Sequence, residues 1–216
     1  MSLVNHRNTC RGCGSLNLVP ILDLGDVPLA GGFLTEKDIP RERKFPLKIY
    51  YCRDCGLVQV LDVIDPSKLF KEYFYVSSVI KSLSEHFQRY SDYLLEKYLN
   101  KKDSKILEFG CNDGVLLQYF KDCKNVRAFG VDPSENVTKI AKDKGLEVYT
   151  SYFNKDISRK LKKNIGKVDV VTGSNVFAHV DDIQEIIDAA KIILKNDGVF
   201  IVEVHRSEER RVGKEC

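Results

Sequence analysis

From Lys105 onward the chain alternates short apolar runs with segments whose apolar residues recur every three or four positions. The runs KILEF (105–109), VRAFGVD (126–132), LEVYT (146–150), KVDVVTGSN (167–175) and VFIVEV (199–204) read as buried-type strands. Between them, residues 114–121, 134–145, 156–164 and 181–198 read as helices. The second of these opens on Ser134 as N-cap and stops at Gly145, and the last opens on Asp and closes on Asn-Asp-Gly. This alternation predicts parallel strands joined by crossover helices, which is an α/β, doubly wound, Rossmann-like sheet.

Upstream, residues 79–99 carry one helical stripe, with Ile80, Leu83, Phe87, Tyr90, Leu94 and Tyr98 at three- and four-residue steps. A helix packing two domains together explains that stripe. Residues 1–75 have a different texture: rich in Cys, Gly and aromatics, with short extended stretches at 46–52 and 56–63. The chain therefore divides into a small domain over 1–75, a connecting helix over 76–100, an α/β domain over 101–205 and a tail over 206–216. The tail, RSEERRVGKEC, has almost no apolar residues although it follows what reads as a central strand. Internal repeats are absent from the sequence.

Composition changes this picture little. With 43% hydrophobic and 30% charged residues the chain can build a core. A net charge of +3, from 34 basic and 31 acidic residues, gives no reason to expect a nucleic-acid partner. No apolar run approaches the ~20 residues of a membrane span, and the N-terminus carries no secretory signal pattern. The expectation is a cytoplasmic protein with no membrane or nucleic-acid partner.

The seven cysteines matter more. Cys10/Cys13 and Cys52/Cys55 form two C-x2-C pairs, 38 residues apart, each followed by glycine. Zinc takes four soft ligands in a tetrahedron, and two such turns supply them. Two redox C-x2-C motifs are the alternative. With all four positions cysteine, no place is left for water, so the metal expected is structural. Between the pairs, the stretch GSLNLVPILDLGDVPLAGGFL (14–34) is apolar and acidic rather than basic, which disfavours phosphate binding.

The stretch ILEFGCNDG (106–114) sits where the first strand of such a sheet turns into its nucleotide loop. A dinucleotide fingerprint starting at Gly110 fails at Asn112 and Val115, and a P-loop Gly-Lys-Ser/Thr is missing. What remains is acid-x-Gly-x-Asn-x-Gly, with Glu108 at the strand end, and a second acid, Asp132, closing the next strand. Without three glycines to set against phosphates, the loop suits a nucleoside with a cationic amino-acid tail. It resembles the S-adenosylmethionine loop of class I methyltransferases, in which Asp132 accepts the ribose hydroxyls. A tight turn holding no ligand is the plain alternative. Cys111 lacks a base nearby and reads as a small packing residue.

Several stretches occur together and in order: CRGCGSLNLVPILDLGDVPLAGGFL, YYCRDCGLVQVLDVIDP, YFYVSSVIKSLSEHF, ILEFGCNDGVLL and GSNVFAHVDDI. Over about residues 9–204 the chain resembles the zinc-binding, S-adenosylmethionine-dependent sugar C-methyltransferases, which methylate carbon 3 of nucleotide-linked 4-keto-deoxysugars. The resemblance implies a zinc domain, a class I methyltransferase sheet and a C-terminal domain that completes the active site. It implies that Glu108, Gly110, Asn112, Gly114, Asp132 and Asn175 hold S-adenosylmethionine. It also implies that Tyr75 leans over cofactor and sugar and that His179 faces the sugar. In the reaction, a base removes the proton beside the ketone and the enolate takes the methyl group.

The family's Tyr-His-Glu-His stretch, expected after the fifth strand, does not occur, and His205 near Glu203 does not match it. The tail resembles a spurious ending. The expectation is a chain lacking its last strands and its catalytic C-terminal domain, able to bind cofactor at most, with VFIVEV left as an association-prone edge. Two readings compete with the nucleotide-sugar enzyme: a methyltransferase of another small molecule, and a non-catalytic zinc and cofactor-fold binding module. The sequence leaves the oligomeric state open.

Overall fold

The computed structural model describes residues 3–29, 34–70 and 75–204, and the backbone alone of Lys68. His205 and the tail at 206–216 lie outside the described residues. The chain falls into two compact units, Met1–Leu69 and Phe70–Cys216.

In the first unit, strands β1 (Val4–His6), β2 (Leu18–Pro28), β3 (Lys44–Cys52), β4 (Val58–Val60) and β5 (Asp62–Ile64) are all short or irregular. β2, β3 and β4 form an antiparallel sheet in that order, and β1 pairs antiparallel with β5. Pro20 and Pro28 are tolerated because β2 is an edge strand. Its register shifts between Pro20 and Leu22 and again between Asp23 and Asp26. Among the described residues of this unit, the buried apolar side chains are Cys10, Phe45, Cys52 and Leu61. So small a core needs a staple to hold its fold. Helix α1 (Pro66–Phe70) closes the unit, with proline at its first position and Asp65 Oδ1 accepting the Ser67 N–H at 2.9 Å.

The second unit begins its regular structure with α2 (Lys81–Lys97) and lays down five strands. They are β6 (Ser104–Phe109), β7 (Val126–Asp132), β8 (Glu147–Thr150), β9 (Val168–Ser174) and β10 (Leu194–Glu203). All neighbours run parallel, in the order β10-β9-β6-β7-β8. The doubly wound sheet expected from the sequence is therefore present, with β10 at its edge among the described residues. The crossovers are α3 (Glu135–Asp143), α4 (Lys155–Ile165) and α5 (Ile183–Ile193).

Side-chain alternation along β6 builds two cores. Leu107 and Phe109 face α4 and α5, through Leu161, Ile165, Ile186, Ala189 and Ile193. Ile106 faces the other way, onto Phe87 and Leu94 of α2. The predicted stripe of α2 thus covers the sheet, except that Ile80 is the N-cap and is exposed. Asn154 caps α4 by accepting the Ile157 N–H, and Asp182 caps α5 by accepting that of Glu185.

Three expectations are corrected. Residues 114–121 form turns and a single 3-10 turn, Leu117–Phe120, not a helix. Val115, Leu116, Leu117 and Phe120 are all buried, so the segment has no polar face on which a surface helix could rest. Ser134 holds the N-cap position of α3 as expected, but its side chain does not make the cap; its hydroxyl donates to the Phe70 carbonyl at 2.6 Å. The last helix stops at Ile193, and the strand starts at Leu194, with a register shift before Val199. Lys195 leaves the helical path to pair with Asp169 at 2.7 Å.

Candidate functional site

The two C-x2-C turns bring their sulfurs together. Cys10, Cys13, Cys52 and Cys55 offer ligand atoms all within 4.8 Å of one another. Cys10 Sγ lies 3.6 Å from Cys55 Sγ, and Cys13 Sγ 3.6 Å from Cys52 Sγ. A tetrahedron with ~2.3 Å metal–sulfur bonds has edges of about 3.8 Å, so the spacing fits zinc. The Gly12 N–H and the Gln59 amide point at Cys10 Sγ, at 3.4 and 3.1 Å, as donors to a thiolate do.

The thiols titrate apart. Burial opposes ionisation of Cys10, but hydrogen bonds from the Cys13 backbone, Gln59 and the Gly12 backbone bring it down to about 6. The Leu57 N–H favours the Cys55 thiolate, yet the Cys13 sulfur, burial and the remaining sulfurs push it up to about 12. Four sulfurs this close ionise together only around a cation.

The second constellation lies at the carboxyl ends of β6, β7 and β9. In an open α/β sheet the ligand crevice forms there, where β6 has neighbours on both sides. Gly110 (φ 67°), Asn112 (φ 50°) and Gly114 (φ 78°) turn the chain through left-handed backbone after β6. At Gly114 a Cβ would run into Leu146 Cδ1. Cys111 is buried against Leu117, Ala141 and Val148, and burial, then the Glu108 charge, hold its thiol well up. It is placed as a packing residue.

Glu108 is 2% exposed, and its Oε2 has no hydrogen-bond partner among the described residues. Burial first, then the charges of Asp132 and Asp113, push its carboxyl well above the ordinary range. Asp132 accepts the Asn112 N–H on Oδ2 and the Ser134 N–H on Oδ1, both at 2.9 Å. Burial raises Asp132, and those donors pull it back. An unpartnered carboxylate oxygen in a buried acidic cluster is built to meet a donor or a cation. The site therefore fits a nucleoside cofactor with a cationic tail: Asp132 has lone pairs left for ribose hydroxyls, and Glu108 a whole oxygen.

Asn175 ends β9 in left-handed backbone (φ 57°), and its N–H donates to the Glu203 carbonyl at 2.8 Å. His179 is exposed at the end of the 3-10 turn Phe177–His179, and Tyr75 is exposed in the segment before α2. Asn112 uses its side chain locally: Nδ2 donates to the Tyr75 carbonyl at 2.8 Å, and Oδ1 accepts the Ser77 N–H at 3.2 Å.

Sequence reasoning missed Asp113, which is fully buried and ion-paired with Lys144 at 2.6 Å. The two stand 31 residues apart with no shared motif. It also missed Tyr90, whose hydroxyl meets Thr172 Oγ1 at 2.8 Å, Thr172 being the cross-strand partner of Glu108. Burial pushes Tyr90 up to about 12. Its place in the stripe of α2 marked it only as core.

A doubly wound sheet with an acidic nucleoside crevice, preceded by a four-thiolate metal site, defines a class of two-part cofactor-binding proteins. Comparison with known proteins narrows it. Residues 10–70 match the family described as "Putative zinc binding domain", and residues 79–215 match "Methyltransferase domain". The chain belongs to this methyltransferase family, whose methyl donor is S-adenosylmethionine, and its four clustered cysteines all fall within the matched preceding domain and are spaced so that they could hold a metal ion.

The chain is 34% identical over 203 residues to the C-methyltransferase NovU of Streptomyces niveus, covering 94% of this chain and 48% of NovU. It is 28% identical over 119 residues to a ubiquinone biosynthesis O-methyltransferase of Yersinia enterocolitica, covering 54% of this chain and 49% of that protein. The chain thus spans about half the length of the relatives it matches. Among solved structures, an S-adenosylmethionine-dependent methyltransferase from Clostridium acetobutylicum is similar at TM-score 0.43 and 24% identity, over 55% of this chain and 50% of that one. No helix among the described residues is long and apolar enough to cross a membrane.

Proposed function

We propose that this chain carries the zinc and cofactor sites of an S-adenosylmethionine-dependent C-methyltransferase acting on a nucleotide-linked 4-keto-deoxysugar. The observation that carries the cofactor part is Glu108: a buried carboxylate with an open oxygen, at the switch point of the sheet, beside Asp132. The likeness to NovU supports carbon as the methyl acceptor. In this reading Glu108, Gly110, Asn112, Gly114, Asp132 and Asn175 form the cofactor site, with Glu108 meeting the cationic amino-acid tail and Asp132 the ribose hydroxyls.

The bound cofactor supplies an electrophilic methyl group on sulfur. The protein's task is then to expose a nucleophilic carbon to it. Loss of the proton next to a ketone makes that carbon an enolate, and a base and a donor for the enolate oxygen lower the barrier. Tyr75 offers a ring and hydroxyl over the crevice, and the His179 imidazole can take a proton or donate a hydrogen bond. The zinc site takes no part in this chemistry, since four thiolates fill the metal's coordination sphere.

The test is transfer of an isotope-labelled methyl group from S-adenosylmethionine to a nucleotide-linked 4-keto-deoxysugar, followed by mass. A labelled methyl on carbon beside the ketone supports the proposal. Transfer to oxygen, or only to substrates without a ketone, supports the other small-molecule reading. Cofactor binding without transfer to either, both by this chain and by a version of it extended with a relative's C-terminal part, supports the binding module.

A further inference from the structure

Phe70 and the stretch Tyr75–Ser78 are each held to the loop after β6 and the start of α3 by side chains, of which only Asn112 also figures in the cofactor reading. Ser134 Oγ donates to the Phe70 carbonyl at 2.6 Å. Asn112 Nδ2 donates to the Tyr75 carbonyl at 2.8 Å, and Asn112 Oδ1 accepts the Ser77 N–H at 3.2 Å. Asp113 Oδ1 accepts the Ser78 N–H at 3.3 Å. Lys144, the C-cap residue of α3, meets Asp113 Oδ2 at 2.6 Å, the Asp113 carbonyl at 3.0 Å and Ser78 Oγ at 3.3 Å.

Asp132 links the hooks to one another. Its two oxygens hold the backbone N–H groups of Asn112 and Ser134, the residues whose side chains hook the segment on either side. The carboxylate that reads a ribose is thus one bond removed from both attachments of the strap that carries Tyr75. Ser77–Val79 is a single 3-10 turn with Val79 77% exposed, and so short a turn is ordered by such bonds.

We infer that Asn112, Asp113, Lys144 and Ser134 are positioning residues that clasp the strap around Tyr75–Ser78 onto the cofactor loop, so that filling the Asp132 site tightens the strap. The clasp stands on its own geometry. The coupling to ligand rests on the cofactor reading above. Asn112 acts on the strap through its side-chain amide, and Lys144 acts through Asp113 and directly on Ser78 Oγ.

The test is amide hydrogen exchange at Ser77 and Ser78, with β6 amides as an internal reference, in the wild type, Asn112→Gly, Lys144→Met and Lys144→Arg, with and without S-adenosylhomocysteine. Asn112→Gly keeps the left-handed backbone while removing both amide hooks. Exchange at Ser77 and Ser78 should rise at least about tenfold in Asn112→Gly and Lys144→Met while β6 stays protected, and Lys144→Arg should restore it. S-adenosylhomocysteine, at concentrations that saturate each protein, should slow strap exchange in the wild type and lose that effect in Asn112→Gly. If Lys144→Met does not fold, because Asp113 is left buried and unpaired, Asn112→Gly carries the test. Equal strap exchange in the wild type and Asn112→Gly overturns the clasp, whether or not ligand binds. Ligand binding to the wild type without any change at Ser77 and Ser78 overturns the coupling alone. Absence of ligand binding counts against the cofactor reading, and exchange in the ligand-free protein still decides the clasp.

Discussion

Val176 sits against Gly110 so closely that a Cβ built on the glycine lies 2.7 Å from Val176 Cγ2. The turn after β9 is thereby pressed onto the turn after β6, and Asn175, one residue earlier, is fixed beside the cofactor loop. Gly110 also holds φ at 67°, where a side chain is strained. Gly110→Ala should therefore cost about 2–4 kcal/mol, from backbone strain plus overpacking. Gly145→Ala is the control: its φ of 79° is strained alike, but the nearest atom is the flexible end of Lys121 at 3.5 Å. Urea unfolding of both variants checks this, and equal losses would mean that the contact with Val176 yields.

How much of this was legible beforehand follows from range. β7 spans Val126–Asp132 as the sequence predicted, because a buried parallel strand is an unbroken apolar run between turn signals. The metal set was legible because C-x2-C spacing is local. Asn112 was legible as a loop residue but not as a hook, since its partners Tyr75 and Ser77 lie 37 and 35 residues away. The Asp113–Lys144 pair left no trace at all, being made by the approach of α3 to the loop. Ser134 was legible as the N-cap position of α3, but not the partner of its hydroxyl, since Phe70 lies 64 residues away.

Zinc removal should act on the first unit alone. Four sulfurs staple a unit whose buried apolar residues are few, so chelation should unfold it. Cys52→Ser should lower zinc content below one ion per chain and expose the β2–β3 sheet to proteolysis. Metal analysis and circular dichroism of chelator-washed protein check this; a folded first unit without metal would contradict it.

The acidic cluster should make the ligand-free protein less stable as pH rises. Glu108 is held above its ordinary value of 4.5 when folded, so it binds its proton more tightly folded than unfolded. The stability it contributes is complete below 4.5 and is lost as pH climbs through the raised folded value. Asp132, raised from 3.8, adds in the same direction. Glu108→Gln cannot ionise, so its stability relative to the wild type should improve steadily from pH 4.5 upward, while its affinity for the methyl donor falls. Denaturant melts of both proteins across that range give the difference, and a gap that does not change with pH would contradict the assignment.

The most direct measurement is calorimetric titration of S-adenosylhomocysteine into zinc-loaded protein, wild type and Asp132→Ala. Losing a charge-assisted pair to the ribose hydroxyls costs about 1.5–3 kcal/mol, or roughly ten- to a hundredfold in affinity. Saturable binding to the wild type, weakened by that much in the variant with folding retained, is the predicted result. No binding to a folded, zinc-replete wild type, or equal binding to both, would contradict it.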